Sequence, residues 1–353
     1  MELSEKQQYI VDLKDPYIAV MASAAAGKTR VLTERVRRML RDGFEPTEIA
    51  VITFTNMAAQ ELKDRLAADY QPGMYIGTIH GLANRFLLRG GINTDKYIKE
   101  EKFDKFFELL KEHPSCVQHI PHILLDECQD ISPLEYEFIF DMIKPDTFFI
   151  VGDLRQSIYH FRGGDSTLFR DLMEDPNVVV CSLNENYRNG SNILSYAKDI
   201  IRYDMLDDSI PKRIGGFVYE GPPNMDNVYK WLDTAYSLKD WVILCTTNDI
   251  ISAMIDKLKA HGIPCITFKQ GRLDKAELHK LMQTEAVKVL TYHSAKGLEF
   301  PNVIAWEPRW WGDQAHELNY MAATRAIDSL YWCGKGPLKR KSSKKKKTIY
   351  FGE

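Results

Sequence analysis

The residues best placed to do chemistry lie in Ser23-Ala24-Ala25-Ala26-Gly27-Lys28-Thr29. They follow an apolar run, Tyr17 to Met21, that reads as a buried strand. They precede Arg30 to Arg41, which reads as an amphipathic helix. Small residues ending in Gly-Lys-Thr at a strand-to-helix junction describe a cradle for a triphosphate. The N–H groups of Ala24, Ala25, Ala26 and Gly27 and the helix N-terminus would face phosphate oxygens, Lys28 would neutralise them, and the Thr29 hydroxyl would bind Mg²⁺. A second element, Ile123-Leu124-Leu125-Asp126-Glu127-Cys128-Gln129-Asp130, is an apolar strand running into two carboxylates. There Asp126 can hold the same Mg²⁺, leaving Glu127 to orient and deprotonate a water attacking the γ-phosphate.

Elements able to position these groups recur along the chain. Strand candidates are Ile49–Phe54, His122–Leu125, Phe148–Val151, Val178–Cys181, Trp241–Cys245, Cys265–Phe268, Val287–Thr291 and Val303–Trp306. Helix candidates lie between them, among them Met57–Ala68, Pro133–Ile143, Ser252–Ala260 and Glu317–Ala326. Such alternation predicts an α/β fold of doubly wound parallel sheets covered by helices, with ligand at the carboxyl ends of the strands. The polar stretch from Asp207 to Asn227 separates two groups of strands, and Asp95 to His113 reads as one charged, aromatic-rich helix inserted in the first group.

At 353 residues, 44% hydrophobic and 27% charged, the composition suits two globular domains. No run is long and apolar enough to span a bilayer, and six scattered cysteines without a Cys-x-x-Cys pair fit a reducing cytosol. Residues 335–353 carry eight cations against Glu353, a net +7, so the formal −3 of the whole chain leaves −10 for the rest. An acidic body argues against nucleic-acid binding by bulk charge; such binding needs a local groove, with the tail as either an auxiliary phosphate contact or a solvated end.

Taken in order from residue 3 to residue 326, several segments together resemble superfamily 1 DNA helicases of the UvrD, Rep and PcrA type. They are Leu3-Ser4-Glu5-Lys6-Gln7, the cradle with Arg30-Val31-Leu32, Thr53 to Leu62, Gly77 to Ala83, Asp126 to Asp130, Val151 to Gly163, Asn186-Tyr187-Arg188-Asn189, Thr291 to Phe300, and Tyr320 to Ala326. The resemblance implies two RecA-like domains, 1–185 with a helical insertion at about 84–120 and 186–334, followed by the basic tail. It implies ATP and Mg²⁺ as cofactors and single-stranded DNA, with strand junctions, as partner. A protein loader is a further possible partner, and movement runs 3′ to 5′.

The resemblance also implies residue roles. Gln7 would read the adenine edge, Tyr187 and Arg30 would sandwich its ring, and Gly297 and Glu299 would serve the nucleotide, Glu299 by accepting from the ribose. Gln156 would sense the γ-phosphate, and Arg188 and Arg325 would act as arginine fingers. Phe54, Tyr159 and Phe161 would stack on bases, each stack contributing roughly 1–3 kcal/mol. Thr55, Asn56, Thr78, His80, Arg162, Thr291, His293 and Lys296 would hold the phosphodiester backbone.

Two departures stand out. Ser23 and Ala25 replace glycines of the family's cradle, which costs on the order of 1–2 kcal/mol wherever φ must be positive. The segments before Asp126 and before Thr291 are too short for the family's accessory subdomains, which suggests a near-minimal motor. Three readings follow: an ATP-dependent helicase or single-strand translocase, a translocase that displaces proteins without unwinding, or a nucleotide-gated single-strand binding protein with weak turnover.

Overall fold

The computed structural model describes residues 2–160, 163–201, 208–269, 273–312 and 314–337. The chain divides into two units, one of residues 1–22 and 27–183, the other of residues 23–26 and 184–353.

The first unit is built on a six-stranded sheet of β1 (Tyr17–Ala22), β2 (Ile49–Thr53), β3 (Tyr75–Thr78), β4 (His122–Leu125), β5 (Thr147–Gly152) and β6 (Val179–Leu183). The spatial order is β3-β2-β4-β5-β1-β6, and all neighbours run parallel. β2 is buried at every position, as expected for a strand covered on both faces. Helices α1 (Glu5–Asp12), α2 (Lys28–Arg41), α3 (Asn56–Arg65) and α4 (Ile79–Arg89) connect or cover these strands. Register aligns their carboxyl ends: Thr53 lies beside Thr78, Ile52 beside Leu125, and Met21 beside Gly152. The loops that begin at residues 23, 54, 126 and 153 therefore leave one edge of the sheet.

The insertion differs from the single helix that its composition suggests. Helix α5 (Asp95–Lys99) ends, Glu101 takes a left-handed φ of +54°, and α6 (Lys105–Glu112) begins. The break lets Phe106, Phe107 and Leu110 enter the core of the first unit while Phe103 stays exposed. The expected helix over 133–143 starts as α7 (Pro133–Tyr136) and widens into π-helical turns over Glu137–Ile143. Helix α8 (Ser166–Glu174) completes the unit.

The second unit opens with β7 (Glu185–Gly190), α9 (Ser191–Ile200) and β8 (Ile210–Arg213), the two strands pairing with each other in parallel. Its main sheet joins β9 (Phe217–Gly221), β10 (Trp241–Cys245), β11 (Cys265–Ile266), β12 (Val287–Thr291), β13 (Phe300–Trp306) and β14 (Ala326–Cys333) in the order β11-β12-β10-β13-β14-β9, again all parallel. Helices α10 (Met225–Asp233), α11 (Asn248–Ala260), α12 (Lys275–Gln283) and α13 (Ala315–Ala323) complete it. The stretch 207–227 is thus no spacer between sheets, since it contributes β8 and β9. Helix α13 stops at Ala323, short of the expected Ala326, because Thr324 turns its hydroxyl onto the Met321 carbonyl and Ala326 enters β14. No helix among the described residues is long and apolar enough to cross a membrane.

Candidate functional site

The loop after β1 reaches α2 through two left-handed residues, Ala25 (φ +57°) and Gly27 (φ +86°). Of the two positions where glycine is replaced, Ala25 is therefore the strained one, and Ser23 carries no such cost. A Cβ on Gly27 would stand 2.7 Å from Gln7 Nε2, so the glycine gives room for the Gln7 amide to lie against the loop. Gln7 is held there by a reciprocal cap: the Ser4 N–H donates to Gln7 Oε1 at 3.0 Å, and the Gln7 N–H donates to Ser4 Oγ at 3.3 Å. Arg30, one helical turn into α2, is half-buried.

Lys28 Nζ lies 3.1 Å from Glu127 Oε1, yet the buried ammonium makes no hydrogen bond of acceptable geometry. A buried cation in that state suits an incoming anion with several acceptor oxygens, and the residues present fit a phosphate group. Thr29 opens α2, and Asp126 ends β4, its N–H donating to the Ile52 carbonyl at 2.9 Å. A hydroxyl and a carboxylate are the hard oxygen donors that Mg²⁺ accepts beside phosphate and water.

Glu127 also has a left-handed φ of +54°, a strained conformation for a residue with a side chain. Its Oε2 accepts from Gln129 Nε2 at 2.6 Å. Gln129 Oε1 in turn accepts the Asp153 N–H at 2.9 Å, and the Asp153 carboxylate accepts from Arg155 Nε and from Gln156 Nε2, both at 2.6 Å. Glu127, Gln129, Asp153 and Gln156 thus form one continuous chain, buried from Gln129 onward. Sequence reasoning assigned Glu127 and Gln156 but gave no role to Gln129 or Asp153. The available signal was that Asp153 directly follows the apolar strand β5 and Gln129 lies four residues past the end of β4.

In the second unit, Asn186 and Asn189 are fully buried and had also gone unassigned. Asn186 Nδ2 donates to Asn189 Oδ1 at 2.8 Å and to the Ala24 carbonyl at 3.0 Å, while the Tyr187 N–H donates to the Ala25 carbonyl at 3.2 Å. Tyr187 leaves its ring exposed, with its hydroxyl on Glu185 at 2.7 Å. Arg188 pairs with Glu299 at 2.5 Å and donates to the Thr324 carbonyl at 3.3 Å. Arg325 is buried, and its guanidinium donates to the Met321 and Leu298 carbonyls at 3.1 and 3.2 Å. Gly297 has φ +84° just before Glu299. The structure therefore brings Arg188, Arg325, Gly297 and Glu299 together, and Glu299 is engaged by an arginine.

Among the residues expected on nucleic acid, Thr55 and Thr78 are N-caps of α3 and α4, accepting from the Ala58 and Gly81 N–H groups at 3.1 Å each. Asn56 is exposed. Phe54 and Tyr159 stack on each other, ring centroids 4.6 Å apart, and Tyr159 is buried while His160 is exposed. His80 stands between two carboxylates, 3.4 Å from Asp104 and 3.6 Å from Glu135, with the Phe107 ring beside it. Burial raises the Glu135 pKa, and the His80 charge opposes that rise. Thr291 Oγ1 bonds Ser294, and His293 and Lys296 flank a 3₁₀ turn over His293–Ala295. Phe161, Arg162 and the tail beyond residue 337 lie outside the described residues.

Comparison with known proteins agrees with this arrangement. Residues 3–116 and 103–177 match the UvrD/REP helicase N-terminal domain, and residues 286–332 match the UvrD-like helicase C-terminal domain. The chain is 29% identical to DNA helicase II of Escherichia coli (strain K12), a match covering 56% of this chain and 40% of that protein. It is 25% identical to ATP-dependent DNA helicase PcrA of Bacillus subtilis (strain 168), covering 57% and 39%. It is also 25% identical to the putative ATP-dependent DNA helicase R568 of Acanthamoeba polyphaga mimivirus, over 94% of this chain and 53% of that one. The chain thus spans between about two-fifths and half the length of these relatives. Two parallel α/β sheets, the cradle between β1 and α2, the carboxylates after β4 and both domain matches lead to one statement: the chain belongs to the UvrD/Rep helicase family.

Proposed function

We propose that this protein is an ATP-driven motor on single-stranded DNA, a helicase or translocase stepping 3′ to 5′. The observation that carries the reading is the buried Lys28 ammonium, left without a hydrogen bond where the loop after β1 enters α2 and set 3.1 Å from Glu127. Lys28 and the loop N–H groups bind the β- and γ-phosphates of ATP, with Gln7 against the adenine. Thr29 and Asp126 would hold Mg²⁺, which supplies charge neutralisation at the phosphates. Glu127, released from Lys28 once phosphate engages that ammonium, takes the proton of the attacking water. Its bond to Gln129 makes its position depend on Asp153 and Gln156, so nucleotide state reaches the segment that carries Tyr159.

Phe54 and the N-termini of α3 and α4, with Thr55, Asn56 and Thr78, form the DNA face of the first unit; Thr291, His293 and Lys296 form that of the second. Because Phe54 and Tyr159 already stack on one another, a base meets the outer face of the pair. With α12 the only helix among the described residues between β11 and β12, the chain is a compact form of the family's motor, and a loader protein is a natural partner for duplex unwinding. The strained Ala25 favours, as a second reading, a nucleotide-gated binder of weak turnover. Steady-state ATP hydrolysis compared with single-stranded DNA, duplex DNA and RNA as activators tests all of this. Stimulation by single strands supports the motor, and turnover unmoved by any nucleic acid rejects it.

A further inference from the structure

Helix α1 has only 8 residues, two turns that are marginal in water on their own. Its amino end is fixed by the Ser4–Gln7 cap, and Ile10 and Val11 are buried. At its carboxyl end the chain leaves the helix at Leu13 (φ −57°, ψ 141°), and the last carbonyls of a helix have no partner within it. Arg35, two turns into α2, supplies one. Its Nη1 donates to the Val11 carbonyl at 2.9 Å and also to the Leu13 carbonyl. Arg38, one turn further, pairs with Asp12, the last residue of α1. The Arg35 guanidinium lies over the Phe149 ring of β5, 5.4 Å from its centre, and its Nε is buried without a hydrogen bond. Burial first, and then the neighbouring Arg38, lower its pKa. A cation kept in such surroundings costs desolvation, which its bonds to α1 and the ring must offset.

What this anchor places is Gln7. That residue is 3% exposed, and its amide nitrogen lies against Gly27, where a Cβ would stand 2.7 Å away. Gln7 is one turn before Val11 on α1, and Gly27 is the residue before Lys28, where α2 begins. One helix, α2, therefore carries Lys28 and Thr29 at its start and, two turns on, the arginine that holds the helix bearing Gln7. Apolar packing of Ile10 and Val11 keeps α1 on the core, but it is non-directional and resists sliding or rotation weakly. Hydrogen bonds from one fixed nitrogen to two carbonyls are directional, and they set the place of α1 relative to the cradle.

We propose that Arg35 is a positioning residue for base recognition. By fixing the carboxyl end of α1 it holds the Gln7 amide at the adenine edge, so selectivity for ATP depends on a side chain bonded to the far end of that helix. The inference rests on the proposed function, in which Gln7 lies against the adenine.

The test measures equilibrium binding of ATP, GTP and inorganic tripolyphosphate to the full chain and to Arg35→Met, Arg35→Lys, Gln7→Ala and the double variant of Arg35→Met with Gln7→Ala. Methionine keeps an apolar stem and removes the donors. Arg35→Met is expected to lower the ATP-over-GTP affinity ratio about tenfold, the size of a hydrogen bond to a charged group, with tripolyphosphate affinity unchanged. Because both carbonyls accept from one nitrogen, the ammonium of Arg35→Lys should restore part of the ratio. Since Arg35 acts through Gln7, the double variant should lose no more selectivity than Gln7→Ala alone. Should Arg35→Met not fold, Arg35→Gln, which leaves an uncharged amide in the same surroundings, takes its place under the same criteria. A ratio unchanged in Arg35→Met, an equal loss on tripolyphosphate, or additive losses in the double variant would each overturn the inference. Equal affinity of the wild-type chain for ATP and GTP would remove Gln7 from the adenine and this inference with it. A wild-type chain that binds neither nucleotide nor tripolyphosphate would instead overturn the motor reading. ATP binding whose selectivity ignores Arg35 removes the positioning role alone.

Discussion

The two units hold their cations in opposite ways. At the carboxyl edge of the first sheet, the buried Lys28 ammonium faces Glu127 at 3.1 Å without forming a hydrogen bond. In the second, at the amino ends of β13 and β14, Arg325 donates to the carbonyls of Met321 and Leu298, and Arg188 is paired with Glu299. Even Lys288, near the start of β12, sends its ammonium to the Lys239 and Thr284 carbonyls at 2.8 and 3.0 Å. A cation that faces one carboxylate without a formed hydrogen bond gains most from an arriving phosphate, whereas one bonded to several acceptors must exchange more partners first. On the proposed function, the first unit supplies affinity for a nucleotide, and the second supplies groups whose engagement depends on giving up existing bonds. Such groups suit a step that follows binding.

The comparison can be broken most sharply at Glu127. Glu127→Gln keeps the hydrogen bonds to Gln129 feasible and removes the base, so single-turnover hydrolysis should fall roughly 10³-fold while ATP and DNA stay bound. Retention of wild-type kcat would remove Glu127 from that role. Lys28→Ala should lower kcat/KM by about 10²–10³-fold through lost phosphate binding. Equilibrium nucleotide binding checks it, and an unchanged Kd for ATP would mean that the unsatisfied ammonium is not the anion anchor.

Smaller effects sharpen the picture. Ala25→Gly relieves a left-handed residue costing about 1–2 kcal/mol, less glycine's own entropic cost of roughly 0.5–1 kcal/mol. The protein should therefore melt about 1–3 °C higher, and a lower Tm would show that Ala25 is not strained. Burial of Lys288 lowers its pKa to about 8, against 10.5 for the free group. Between those values the unfolded chain binds a proton that the folded chain does not, so stability should rise with pH across that window. Lys288→Met should lack this rise, and parallel melting curves for the two proteins from pH 8 to 10 would contradict it.

Much of this was legible because the decisive features are local. An apolar run before Gly-Lys-Thr, or before Asp-Glu, has few other uses, and the strands His122–Leu125, Trp241–Cys245 and Val287–Thr291 fall where their apolar runs place them. β3 was not legible, being four residues long with Gly77 inside, where a glycine weakens the strand signal. β14 was hidden because an alanine-rich helix runs almost into it. The split of the 95–113 insertion into two helices was equally hidden: a left-handed Glu101 has no composition signature, and the break is set by which phenylalanines the core accepts.

What the amino-acid order determined alone is the chemistry: which residue can neutralise phosphate, which can take a proton, which can cap a helix. These are properties of a side chain and its near neighbours along the chain. What only the tertiary structure decided is whether each group is occupied. The Lys28 ammonium lacks a hydrogen bond, Arg325 donates to the Met321 and Leu298 carbonyls, and Phe54 and Tyr159 stack on each other. Saturation depends on partners brought from distant parts of the sequence by parallel strand register, and no local pattern encodes that.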